Sequence, residues 1–100
     1  MDKKIFELIS YSDNGILSKV LLKNDKVDNT LFCMAKGTQL SEHTSTKQAI
    51  IYVLEGKGMF NLEGKKIKMT EGTFIHMKEN AVHSLKVSEN TSFILISINN

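Results

Sequence analysis

The stretch that decides the fold is Gly37 to Gly58, GTQLSEHTSTKQAIIYVLEGKG. Its second half contains Ile50-Ile51-Tyr52-Val53-Leu54, apolar at every position, followed by the Gly56-Lys57-Gly58 turn. Side chains alternate faces along a strand, so both faces of this one require cover. Its first half is a hydroxyl-rich loop with one histidine, His43, just before the strand. A second stretch, Gly72 to His83, supplies another histidine. The two stretches are expected to converge on one pocket.

Outward from this stretch, glycines mark off short β-type runs. These are Ile16 to Lys23, Val27 to Ala35 across an Asn24-Asp25 turn, Ala49 to Leu54, Met59 to Leu62, Lys66 to Met69, Thr73 to Met77, Val82 to Val87 and Ser92 to Ile98. The hairpin across Glu63-Gly64 alternates isoleucine and methionine with lysine, the pattern of a half-buried strand. Lys4 to Ile9 reads as a short helix or an edge strand. Many short strands without a substantial helix imply an all-β fold, a small antiparallel β-sandwich or barrel. The expected organisation is a single domain over residues 1–100, with an N-terminal arm at 1–15 and the barrel at 16–100. Phe93-Ile94-Leu95-Ile96 is a second run apolar on both faces. Two such strands in a short chain without helices predict a homodimer that packs outer sheet faces together. Cover by the N-terminal segment of the same chain is the competing expectation.

The chain has 100 residues, enough for one core, since a domain of this size buries roughly 60–70% of its unfolded surface. The net charge is +2, and all 13 basic residues are lysine. Without arginine's planar fork, and with the lysines scattered, composition marks no dedicated anion or nucleic-acid reader. No nucleic-acid partner is expected. The start, MDKKIFELIS, is too short and too broken by Glu7 for a signal peptide or a membrane span. No membrane association is expected. Cys33 is the only cysteine and lies in an apolar run, as a buried structural thiol would. A reducing cytoplasm fits this usage, and the Asn90-Thr91-Ser92 sequon is then accidental.

The spacing of the two histidine stretches resembles that of the cupins, in particular the small single-domain cupin-2 type. That family's first motif reads G-x5-H-x-H-x3–4-E-x6-G, and Gly37, His43 and the closing YVLEGKG match it. Its second reads G-x5-P-x-G-x2-H-x3-N, and Gly72, Lys78, Asn80 and His83 keep its spacing. The resemblance covers nearly the whole chain and implies a double-stranded β-helix, the jelly-roll or cupin barrel. It also implies a metal site at four positions, of which this chain keeps His43 and His83. Ser45 stands at the second histidine, Ala49 or Ile50 at the glutamate, Lys78 at the proline, Asn80 at the glycine and Val87 at the asparagine.

Tight binding of iron, manganese, nickel or zinc by nitrogen and oxygen ligands ordinarily takes three protein ligands. Two additions to the histidine pair are open. Gln48 adjoins the missing glutamate, and a bulge there would turn it inward. If the turn at residues 78–81 closes a regular hairpin, His76 lies opposite His83 on the same face and completes a three-histidine set. Otherwise the cofactor is none, or a weakly bound divalent metal. The plainer expectation is a pocket of histidines with Ser45 and Gln48, walled by Ile51, Val53, Leu85 and Val87. An apolar wall with few polar groups suits a small organic ligand. The leading expectation is a small-molecule binding or sensing module, and the other is a metal-dependent oxygenase or isomerase. No catalytic residue is assigned.

Overall fold

The computed structural model describes residues 1–99. Within them, one short helix, α1 (Ile5–Leu8), precedes nine strands. These are β1 (Ile16–Lys23), β2 (Val27–Met34), β3 (Gln39–His43), β4 (Gln48–Glu55), β5 (Gly58–Leu62), β6 (Lys65–Met69), β7 (Phe74–Met77), β8 (His83–Val87) and β9 (Thr91–Ile98). Two antiparallel sheets face each other, in the orders β1-β2-β9-β4-β7 and β3-β8-β5-β6. The all-β sandwich is as expected. β3 was not read as a strand, because its only apolar residue is Leu40 and its alternation is broken.

Local chemistry sets the turns. Asn24 Oδ1 accepts from the N–H groups of Lys26 (2.8 Å) and Val27 (3.0 Å), closing the β1–β2 hairpin as an Asx turn. Glu63 and Gly64, with φ of 50° and 83°, give the β5–β6 hairpin the left-handed two-residue turn that matches strand twist.

Strand alternation sorts the side chains. In β7, Ile75 and Met77 are buried while Phe74 and His76 are exposed. In β8, His83, Leu85 and Val87 are buried. The main core joins Met34, Ile51, Val53 and Phe93 of one sheet to Phe60, Met69, Leu85 and Val87 of the other. Phe32 and Phe93 stack within it at 5.3 Å between centroids.

The outer face of the larger sheet has a second, smaller core. Leu31, Cys33 and Leu54 are buried there, packed by Ile5, Leu8, Ile9 and Tyr11 of the arm and by Leu21 and Ile94. Irregularities in the ladder serve this cluster. One extra residue in β1 between Val20 and Leu22, and one in β4 between Val53 and Glu55, are Leu21 and Leu54. The Tyr11 hydroxyl donates to Glu55 Oε2 at 2.7 Å and latches the arm. Burial, with the Glu55 carboxylate adding to it, pushes that hydroxyl well above the usual tyrosine range. Intrachain cover therefore accounts for one half of the outer face. The other half, around Ile50, Tyr52, Ile96 and Phe74, lies beyond the arm's cluster, and Tyr52 and Phe74 are 42% and 63% exposed.

Gly56 is constrained most. Its φ is +114°, and a Cβ there would fall 2.3 Å from Thr91 Oγ1 and 2.5 Å from the Asn90 carbonyl. Gly64 also has positive φ but has open space around it. Gly56→Ala is expected to cost on the order of 3 kcal/mol or more, from strain plus overpacking. Gly64→Ala should cost only about 1–2 kcal/mol, from the left-handed backbone alone. Urea unfolding of the two variants measures the difference; equal losses would contradict this packing.

Candidate functional site

The site begins with a one-residue irregularity in β3. Leu40 pairs with Leu85 and His43 pairs with His83, so three steps along β3 match two along β8. Leu40 packs against the core. In a regular strand the next inward residue would be Glu42, since faces alternate with a period of two. The extra residue shifts the register and presents His43 instead, directly opposite His83. The ring centroids are 4.1 Å apart at an interplanar angle of 64°.

Both rings are anchored through the same atom. His43 Nδ1 lies 2.7 Å from the Ser41 carbonyl, across the bulge, and His83 Nδ1 lies 2.9 Å from the Ala81 carbonyl. A carbonyl only accepts, so each Nδ1 carries a proton, and whenever a ring is neutral its lone pair is on Nε2. Neither Nε2 has a hydrogen-bond partner among the described residues. His83 is further held by stacking on the buried Phe60 ring, 6.0 Å away at 8°.

The pair stands between two lobes of a cavity, each of about 100 Å³, and both lobes are lined by His43, His83, Met77 and Leu95. The first lobe adds Ser45, Lys47, Lys78 and Ser97. The second runs between the sheets and adds Phe32, Leu40, Ile51, Leu85 and Phe93. Two segments frame the polar lobe, the β3–β4 loop and the turn at residues 78–81. They are tied by Asn80 N–H donating to the Ser45 carbonyl at 2.7 Å. Asn80 has φ of +65°. Asparagine tolerates this left-handed conformation, which explains how it stands where the cupin motif has glycine.

The structure brings together His43, His83, Ser45, Ile51 and Leu85. It separates His76 and Gln48 from them. The turn at 78–81 does not close a hairpin: β7 pairs with β4 in one sheet, and β8 pairs with β3 and β5 in the other. His76 consequently pairs with Ile50, is exposed on the outer face, and donates from Nε2 to Gln48 Oε1 at 3.0 Å. No bulge turns Gln48 inward, and Ala49 takes the inward position. Val53 and Val87 are fully buried core residues and line neither lobe.

Lys47, Lys78, Met77, Leu95 and Ser97 line the cavity without having been singled out from the sequence. Leu95 and Ser97 follow Phe93 at every second residue of β9, so alternation contained that signal. Lys47 had none, because it lies on a loop, and Lys78 was marked only by standing at the proline of the second motif.

A model of the cupin domain matches residues 30–99. The chain belongs to the cupin family. No curated protein matches this cupin, but solved structures do. A conserved protein of unknown function from Streptococcus pyogenes superposes with a TM-score of 0.89 at 20% identity, over 100% of this chain and 88% of that one. A cupin superfamily protein from Desulfitobacterium hafniense gives 0.88 at 21% identity, over 94% and 86%. A cupin 2 conserved barrel domain protein from Leptotrichia buccalis gives 0.86 at 26% identity, over 94% of this chain and 46% of that one.

The family's metal site finds a poor donor set here. Ser45 and Ala49 do line the cavity, at the positions of the motif's second histidine and its glutamate. A neutral hydroxyl and a methyl group do not replace an imidazole and a carboxylate. Among the described residues, no group of three or more His, Cys, Asp or Glu side chains converges to hold a metal ion. The residues present do not fit a tightly held metal.

Ring-proton NMR tests this arrangement. Nuclear Overhauser contacts are expected between the His43 and His83 rings and none from either to His76. A contact between the His76 and His83 rings would restore the hairpin that the sheet order excludes.

Proposed function

We propose that this cupin is a small-molecule binding or sensing module that works without a resident metal. The observation that supports it best is the anchoring of both histidines through Nδ1, which leaves two adjacent Nε2 acceptors between a polar and an apolar lobe. Such a pair orients an organic ligand by accepting its hydrogen bonds, while the apolar wall supplies contact area. Lys47 and Lys78 add positive charge beside the pair, which opposes cation binding.

A metal-dependent oxygenase or isomerase is the second reading. It is favoured by the retained His43–His83 pair, whose Nε2 lone pairs are those a metal would use. Protein purified without chelator or affinity tag separates the two. Wild type is expected to carry little iron, manganese, nickel or zinc, even after incubation with their salts. The double variant Ser45→His/Ala49→Glu, which restores two donors at cavity-lining positions, should retain about one metal ion per chain. Near-stoichiometric metal in wild type, lost in both His43→Ala and His83→Ala, would overturn the metal-free reading.

We also propose that the module is a homodimer in a reducing cytoplasm, with no nucleic-acid or membrane partner. The uncovered half of the outer face presents Gln48, Ile50, Tyr52, Phe74, His76 and Ile96, none of them Asp, Glu, Lys or Arg in a chain where those residues make up 24%. A second copy offers the same surface, so two-fold packing brings apolar area together without burying a charge. Buried, unpaired Cys33 suits a reducing compartment. No helix is long and apolar enough to cross a membrane. At micromolar concentration the solution mass should be that of two chains, falling to one in Phe74→Glu. A wild-type monomer would refute the dimer.

A further inference from the structure

The order of chemical groups along the cavity carries more than the presence of a pocket. The polar lobe is lined by Lys47, Lys78, Ser45 and Ser97 and by no Asp or Glu, with the Asp28 carboxylate 3.9 Å from the Lys47 ammonium. The histidine pair, shared by both lobes, offers two hydrogen-bond acceptors. The far lobe is formed by aliphatic, aromatic and thioether side chains, apart from the two histidine rings. Cation, acceptor and apolar wall follow one another over a length set by two small lobes. Each lobe has the space of roughly three liquid waters.

Resting on the metal-free binding reading, we infer that the ligand is a small 2-hydroxy carboxylic acid with a short branched or aromatic tail. Its carboxylate meets Lys47 and Lys78, with the serine hydroxyls donating to it. The hydroxyl on the adjacent carbon donates to a histidine Nε2. The tail lies among Phe32, Ile51, Leu85 and Phe93. Each polar or charged group of the ligand then meets its complement.

The lysines are able to take this role. Lys47 is 45% exposed, and its Nζ is 3.9 Å from Asp28 Oδ2, a long contact that lets the ammonium meet an incoming carboxylate while staying beside Asp28. Lys78 is exposed and has no carboxylate within ion-pair distance among the described residues. The absence of arginine argued against an anion reader by composition. Placement of two lysines beside one small cavity supplies what composition did not show. Lysine binds a carboxylate as a point charge, so the interaction is moderate and sensitive to salt.

The test is a set of NMR titrations of the full chain with 2-hydroxy-3-methylbutanoate, its amide, and 3-methylbutanoate, which lacks the hydroxyl. The hydroxy acid is expected to bind at least about tenfold more tightly than either analogue, since each comparison removes one charge-assisted or acceptor-matched hydrogen bond. Shifts should centre on His43, His83, Met77 and Leu95. Lys47→Gln/Lys78→Gln, both on surface loops, should weaken the acid about tenfold, leave the amide unchanged and abolish the salt dependence. If the amide or the deoxy acid binds the same residues as tightly as the hydroxy acid, the ligand class is wrong and the binding pocket stands. If none of the three shifts His43 or His83 at millimolar concentration, the ligand class is overturned, while the metal-free reading is still decided by the metal content of the purified protein.

Discussion

Strands β4 and β9 are hydrogen-bonded side by side at the middle of the larger sheet, and both carry apolar side chains on both faces. Backbone pairing holds the two strands together, but it does nothing for the two apolar surfaces they generate. The rest of the chain answers that requirement. The second sheet closes over one face, burying Ala49, Ile51, Val53 and Phe93 in a shared core. The arm crosses part of the other, covering Leu54 and the partly buried Ile94. Extra residues in β1 and β4 turn Leu21 and Leu54 toward the arm, so the second core is created by irregularity in the ladder rather than by its repeat.

The same device makes the site. A regular β3 would present Glu42 to the interior, and the pocket would hold a carboxylate beside one imidazole. One extra residue replaces that outcome with two imidazoles in edge contact, and the carbonyl exposed at the bulge fixes the tautomer of the first. The second is fixed by the carbonyl of Ala81, in the turn that leads into β8. Both anchoring bonds span two residues, so the local backbone conformation sets each ring before any ligand arrives. Preorganisation of this kind lowers the entropic cost of binding.

What distinguishes this chain from the family motif is the chemistry of the side chains at Ser45 and Ala49. Imidazole and carboxylate donors at Ser45 and Ala49 would favour a cation. A hydroxyl and a methyl group offer no such donors, and the anionic ligand we propose rests on the lysines at 47 and 78 beside them.

Sequence by itself determined the strand count to within one, the turns at Asn24 and Gly64, the two-faced strands and the convergence of the two histidine stretches. These follow from short-range rules: alternation, turn chemistry and motif spacing all act over a few residues. His43, Ser45, Ile51 and Leu85 were legible as pocket residues for the same reason. The position of His76 was not. Whether the turn at 78–81 closes a hairpin or crosses between sheets depends on which strands β7 and β8 pair with, and those partners lie far away in sequence. Nor was β3 legible, because its bulge breaks the alternation that identifies a strand. Only tertiary structure placed Lys47 and Lys78 beside one cavity, since loop residues have no periodicity and meet only when both sheets have closed.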